Sequence, residues 1–161
     1  MKLIILRGLP GTGKTTLAEK LVKKIGAVNI WTDGFKHEAK TGSRLKDCNY
    51  AYKKTLKILE EYNAKNIKYA IVTEILYSRN FRNNLLKFIK KSKVKAYWFQ
   101  LERPLPALLG NEAKRKRKIK NTRKDFLEMR KKINNCKIRQ EIVINNIEIS
   151  SAFREVFQKI K

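Results

Sequence analysis

A three-layer α/β fold around a parallel sheet of five strands is what this sequence predicts, and three observations predict it. Five short apolar runs alternate with segments of helical periodicity, the order that parallel strands and their right-handed crossovers require. The first run leads straight into a glycine-bearing turn and then into an amphipathic stretch. The length, 161 residues, suits one domain with one core, and no linker or internal repeat interrupts it, so residues 1–161 are expected to form a single unit.

Residues 2–6 are an apolar run that ends at Arg7-Gly8, a buried strand entering a turn. Leu17, Leu21 and Ile25 then recur at helical spacing beside Ala18 and Val22, and Gly26 offers a carboxyl-terminal cap. Residues 28–31 read as the second strand, ending at the turn Thr32-Asp33-Gly34, and Leu45, Cys48, Tyr52, Leu56 and Leu59 mark one stripe of the next helix. The third strand covers 69–73 with Glu74 at its carboxyl end, followed by a helix over about 79–91. Strand four spans 94–101. Helices over about 105–116 and 122–134 follow, the second opened by Thr122 and Asp125 at the spacing of an approximate capping box. A last strand at 141–144 precedes Phe153, Val156, Phe157 and Ile160, whose i, i+3, i+4, i+7 spacing closes the chain with an amphipathic helix.

With 42% hydrophobic and 33% charged residues, three prolines and seven glycines, the composition is that of a folded chain and excludes a disordered one. Thirty-nine Lys and Arg against fourteen Asp and Glu give a net charge of +25, more than solubility requires. Either a polyanionic partner or an AT-rich coding bias toward Lys, Ile and Asn would produce it. The excess is concentrated: residues 114–139 hold thirteen basic residues against Asp125 and Glu128. Cys48 and Cys136 lack C-x-x-C spacing, so they suggest neither a zinc site nor a redox pair and are expected to be buried or inert. No apolar run approaches the roughly 20 residues of a membrane span. The first strand reaches its turn by residue 8, too early for a leader segment, so a cytoplasmic protein without a membrane partner is expected.

The chemistry-bearing motif is G-x-x-x-x-G-K-[ST], met by Gly8, Gly13, Lys14 and Thr15. Glycines let backbone amides turn onto phosphates, Lys14 can reach the β- and γ-oxygens, and Thr15 can set its hydroxyl on Mg²⁺ at a helix amino terminus. The motif lies between an apolar strand and an amphipathic helix, which is its confirming context. ATP with Mg²⁺ is the expected ligand, contacted by Gly8, Leu9, Pro10, Gly11, Thr12, Gly13, Lys14, Thr15 and Thr16.

This run resembles the first motif of P-loop kinases, in particular the polynucleotide kinase-like and small-molecule kinases that share the nucleoside monophosphate kinase core, and the likeness covers most of the chain. The resemblance implies a P-loop NTPase fold with strand order 2-3-1-4-5 and a basic helical lid over about 105–139. In that family an acid just after strand two is the general base, and Asp33 in Trp31-Thr32-Asp33-Gly34-Phe35-Lys36 occupies the matching place; its alternative role is a helix or turn cap. Glu74 matches the acid after strand three that positions Mg²⁺ or contacts the acceptor, although polynucleotide kinases more often carry Asp there. Arg115 and Arg117, within Asn111-Glu112-Ala113-Lys114-Arg115-Lys116-Arg117-Lys118, are the candidate lid arginines for the γ-phosphoryl group, the alternative being a solvated basic face. Lys14 completes the expected catalytic set.

Two departures bear on the acceptor. Thr32 stands where polynucleotide kinases often carry an arginine, and no phosphatase or ligase segment accompanies the kinase pattern. The guanine-reading motif is missing as well: Thr122-Arg123-Lys124-Asp125 only approaches it, which argues against a GTPase switch. The expected activity is transfer of the γ-phosphoryl group of ATP to a hydroxyl of a nucleic acid, RNA first, with residues 114–139 tracking the phosphates. A kinase for a nucleoside, nucleotide or other metabolite is the alternative, and a nucleotide-regulated RNA-binding ATPase is a third. Trp31, Phe35, Tyr50 and Tyr52 are read either as base-stacking groups or as core. The single histidine, His37, has no partner in the sequence pattern and receives no role.

Overall fold

The computed structural model describes residues 1–75, 78–116 and 120–161. Its strands are β1 (Lys2–Gly8), β2 (Val28–Trp31), β3 (Tyr69–Glu74), β4 (Lys95–Glu102) and β5 (Ile142–Asn145). Its helices are α1 (Lys14–Ile25), α2 (Thr32–Ala39), α3 (Arg44–Ala64), α4 (Arg79–Lys91), α5 (Leu105–Ala113), α6 (Arg123–Asn134) and α7 (Ile149–Ile160). All the strands run parallel in one sheet ordered β2-β3-β1-β4-β5, the predicted topology.

The alternation of strand side chains divides the core. From central β1, Ile4 and Leu6 face α1 and α7, meeting Leu17, Leu21, Val156 and Ile160; Leu3 and Ile5 face α3 and α4, meeting Leu59, Phe81 and Leu85. Each of these buried apolar side chains contributes about 1.5–3 kcal/mol, and β1, central in the sheet, leads directly into the site. A third cluster, Leu9 with Leu108, Phe126 and Ile133, ties α5 and α6 to the turn that follows β1.

Two elements differ from expectation. The predicted turn at Thr32-Asp33-Gly34 is the first turn of α2. Asp33 there complements the helix dipole, and Phe35 packs onto the α3–α4 side of the core. Gly34 is required for space instead of for a turn, because a Cβ at this position would lie 2.7 Å from Trp31 Cε3. The helix predicted over 105–116 stops at Ala113. Beyond it the cations Lys114 to Lys118 would stack like charges three and four residues apart on a helix, and Glu112 instead accepts a hydrogen bond from the Asn121 amide at 2.7 Å. Thr122 and Asp125, the near-match to a guanine motif, form a reciprocal capping box at the start of α6. Cys136 is buried as expected, whereas Cys48 is only half-buried and stands in a cleft wall. No helix among the described residues is long and apolar enough to cross a membrane.

Sequence patterning did not reveal the role of Arg7. Although charged, it is completely buried on the central strand. Its guanidinium donates to the carbonyls of Ile133 and Cys136, both at 2.8 Å, and so satisfies the carboxyl end of α6. Its Nε lies 3.1 Å from Glu141 Oε1. Burial pushes the Glu141 carboxyl up to about 7, with the positive charge of Arg7 opposing the rise. Burial likewise lowers the guanidinium. Because the carboxyl is raised in the folded state, Glu141 holds its proton more readily there and its charge becomes costly as pH rises through 7. Arg7→Met is therefore expected to destabilise the fold by about 3–5 kcal/mol above neutrality and by clearly less in mild acid, where Glu141 takes a proton. Urea unfolding at about pH 8 and about pH 5.5 checks this; equal losses would remove Glu141 as the titrating partner.

Candidate active site

The carboxyl ends of β1, β2 and β3 open into one cleft of about 1020 Å³. At the end of β1 the chain turns at Gly8, where φ is +148° and a Cβ would collide with the carbonyl oxygen of Leu101 on β4. The turn ends at Gly13, the residue preceding α1, with φ +91° and no room for a Cβ beside Asn146 Nδ2. Two amides brace this loop from distant parts of the chain. Asn111 on α5 donates to the Gly11 carbonyl at 2.9 Å, and the buried Asn146 after β5 donates to the Thr12 carbonyl at 2.5 Å. No side chain caps the amino terminus of α1 and no acid lies in its first turn, which leaves its positive end suited to an anion.

Of the nine predicted loop residues, Pro10, Gly11, Gly13, Lys14, Thr15 and Thr16 line the cleft. Gly8, Leu9 and Thr12 support it from behind: Leu9 is buried against α5 and α6, and the Thr12 hydroxyl donates to the Leu9 carbonyl at 2.9 Å. Lys14 folds back onto its own loop, its ammonium donating to the carbonyls of Gly8 at 2.8 Å and Leu9 at 3.0 Å. Burial pushes that ammonium down to about 8; Asp33 and Glu74 oppose the shift, and Arg115 and Lys36 add to it.

Register explains how the two predicted carboxylates meet. Trp31 at the end of β2 pairs with Thr73 on β3, so Asp33 and Glu74 emerge at neighbouring strand ends. Glu74 is 2% exposed, whereas the Asp33 side chain keeps 46% of its surface open. Lys36 joins them, its Nζ 2.7 Å from Asp33 Oδ1 and 2.7 Å from Glu74 Oε2. Burial alone would lower the Lys36 ammonium, but the two carboxylates outweigh it and hold the group well above its usual value. The sequence contained the signal, since Lys36 is three residues after Asp33, but the pair becomes visible only once that segment is helical.

Across the cleft, Lys114 and Arg115 form the lid-side wall. Glu112, 2% exposed, lies 3.4 Å from Arg115 NH1 through its second oxygen while the first accepts from Asn121. This acid within a basic run anchors both ends of the segment. Arg117 lies outside the described residues. Among the predicted aromatics, Trp31 is 53% exposed and borders the cleft. Phe35 and Tyr52 pack in the core, Tyr52 stacked on Phe81 at 4.2 Å, and Tyr50 is exposed outside the cleft wall. His37 borders the cleft.

The oxygen donors Thr15, Asp33 and Glu74 suit a hard cation such as Mg²⁺. No cluster of three or more His, Cys, Asp or Glu able to hold a metal occurs among the described residues. That a cation already sits against Glu74 Oε2, in the form of Lys36, marks the position as favourable to positive charge.

A family model described as an AAA domain matches residues 3–135. The chain belongs to this AAA domain family. Its fold is that of P-loop kinases, and three solved structures illustrate the likeness of the AAA domain chain to others. A sugar kinase from Janibacter sp. HTCC2649 is 15% identical with a TM-score of 0.72, over 99% of this chain and 95% of that one. The tunicamycin resistance protein of Deinococcus radiodurans is 15% identical with a TM-score of 0.69, over 99% and 95%. A gluconokinase from Sinorhizobium meliloti 1021 is 11% identical with a TM-score of 0.68, over 99% and 93%. No curated protein matches the sequence.

The lowered Lys14 generates a prediction. Above about pH 8 its ammonium is largely neutral in the free AAA domain, and phosphate oxygens beside it will draw the proton back. Calorimetry of ATP binding at about pH 8.5 in buffers of different ionisation enthalpy is expected to give uptake of more than about half a proton. The uptake should vanish in Lys14→Met; if it persists, another group carries it.

Proposed function

We propose that this chain is an ATP-dependent kinase that transfers the γ-phosphoryl group to a hydroxyl held above Asp33. The observation that carries this reading is that the phosphate-loop lysine, an open carboxylate, a buried carboxylate and a lid arginine border one cleft. Residues 1–161 act in this reading as one kinase domain with a basic lid over about 105–139. The loop amides, Lys14 and the start of α1 bind the triphosphate. Thr15 and Glu74 hold Mg²⁺, which when bound neutralises charge developing on the transferred group. Asp33 receives the acceptor's hydroxyl proton through its exposed side, because Lys36 engages only Oδ1. Arg115, and in the same reading Arg117, engages the γ-phosphoryl oxygens as a charge that persists at every relevant pH.

For the acceptor, the cleft volume supports a small molecule. At about 1020 Å³ it is at the upper end of small-ligand sites, with room for a nucleotide and a compact partner beside it. That a sugar kinase and a gluconokinase share the fold agrees with this. Trp31, half-exposed at the cleft edge, is a suitable stacking platform for a ring. A hydroxyl of RNA is the second reading, favoured by the thirteen basic residues of 114–139 beside the Lys114–Arg115 wall.

Transfer of labelled γ-phosphate from ATP to sugars, nucleosides, 5′-hydroxyl RNA and DNA, at low and high salt, tests both. Label on a small acceptor with weak salt dependence supports the first reading, and label on RNA that collapses as salt rises supports the second. RNA binding with no labelled product in any arm sinks the kinase proposal and favours a nucleotide-regulated binding protein. Asp33→Asn is expected to lower kcat by about 10²–10⁴ with little change in ATP affinity, and Lys14→Ala to abolish transfer while unfolding remains cooperative.

A further inference from the structure

Lys36 closes the segment 31–36 but received no role from the sequence, yet it makes two 2.7 Å charged contacts in the cleft. Its Nζ is 2.7 Å from Asp33 Oδ1, 2.7 Å from Glu74 Oε2 and 5.7 Å from the centre of the Tyr52 ring. Its side chain is 20% exposed and that of Glu74 2%. A carboxylate so enclosed is costly without a partner, and both of its oxygens are engaged: Oε1 accepts from the Ile75 amide at 2.8 Å and Oε2 from Lys36. A metal at Glu74 Oε2 therefore competes with the Lys36 ammonium already held there.

We propose that Lys36 is a built-in counter-cation, whose ammonium occupies the Asp33–Glu74 pair in the empty cleft and excludes the divalent metal until nucleotide arrives. The inference deepens the kinase reading and rests on its assignment of Glu74 to the metal side. Before nucleotide binds, a metal must displace an ammonium that has nowhere equally favourable to go. Afterwards, the triphosphate supplies oxygens both to the metal and to the displaced ammonium, so the exchange keeps every buried charge paired. Metal then enters with the nucleotide instead of ahead of it. The same contact restrains Asp33, since Oδ1 is held until the exchange frees it. Lys36 acts through the carboxylates and is in this sense a positioning residue.

Binding of Mn²⁺ to the full chain without nucleotide, followed by electron paramagnetic resonance of the free ion, tests this independently of catalysis. Lys36→Met is expected to bind Mn²⁺ about tenfold or more tightly than the native chain, because the competing state is removed. The gain should disappear in Lys36→Met/Glu74→Gln. Lys36→Gln provides the same comparison if the Met variant does not fold, with thermal unfolding as the check. Equal Mn²⁺ affinity in the native and substituted chains overturns the proposal, as does a gain that survives Glu74→Gln. Failure of the kinase reading would look different: no phosphoryl transfer to any acceptor, with the Lys36-dependent change in Mn²⁺ affinity intact.

Discussion

At the end of β1 the chain passes so close to the carbonyl of Leu101 that Gly8 cannot carry a side chain, and much of the molecule is arranged around that passage. The strand is fully buried between two helical layers, so its exit point is fixed with respect to β3 and β4. From there the turn is determined at both ends by left-handed glycines and from the sides by the amides of Asn111 and Asn146. Leu9 at its bend is also the residue onto which α5 and α6 pack. One segment thus forms the glycine-rich turn at the cleft and the surface onto which α5 and α6 pack. Change at either would be felt at the other.

Burial of charge is the second organising feature. Arg7, Glu74 and Glu112 are each 2% exposed or less, and each is matched by an opposite charge or by backbone groups. Arg7 ends α6 and meets Glu141; Glu74 meets Lys36; Glu112 meets Arg115 and the Asn121 amide. Such pairs are weak sources of net stability because desolvation offsets their attraction. Their effect is on geometry: a buried charge permits few arrangements of its neighbours, and these three fix the end of α6, the meeting of the carboxylates and the segment between α5 and α6.

The surplus positive charge has a different character. By sequence it is densest from 114 to 139, whereas at the carboxylate end of the cleft Lys36 offsets one of the two negative charges of Asp33 and Glu74. Long-range attraction of anions and local chemistry are consequently separable. A sugar kinase and a tunicamycin resistance protein share this fold at 15% identity, so the scaffold does not depend on a particular sequence.

Local pattern was sufficient for the sheet, for every helix but α2 and for the glycine-bearing turn after β1. Strand alternation, helical periodicity and the spacing of Gly8, Gly13, Lys14 and Thr15 are properties of neighbours in sequence, and the physics that produces them is equally local. Asp33 and Glu74 were singled out through the family resemblance, and the structure puts them at the ends of β2 and β3, lining one cleft. Other features depend on residues far apart in the chain. Thr32–Ala39 is a helix that brings Lys36 onto both carboxylates, and its Phe35 packs against core residues supplied by distant parts of the chain. The roles of Asn111 and Asn146, 100 and 134 residues from the loop carbonyls they brace, and of Arg7 at the end of α6, arise only on folding. A charged or amide side chain has no periodicity to betray its partner, so the sequence determined the scaffold and the phosphate loop, while tertiary contact alone decided how the buried charges pair.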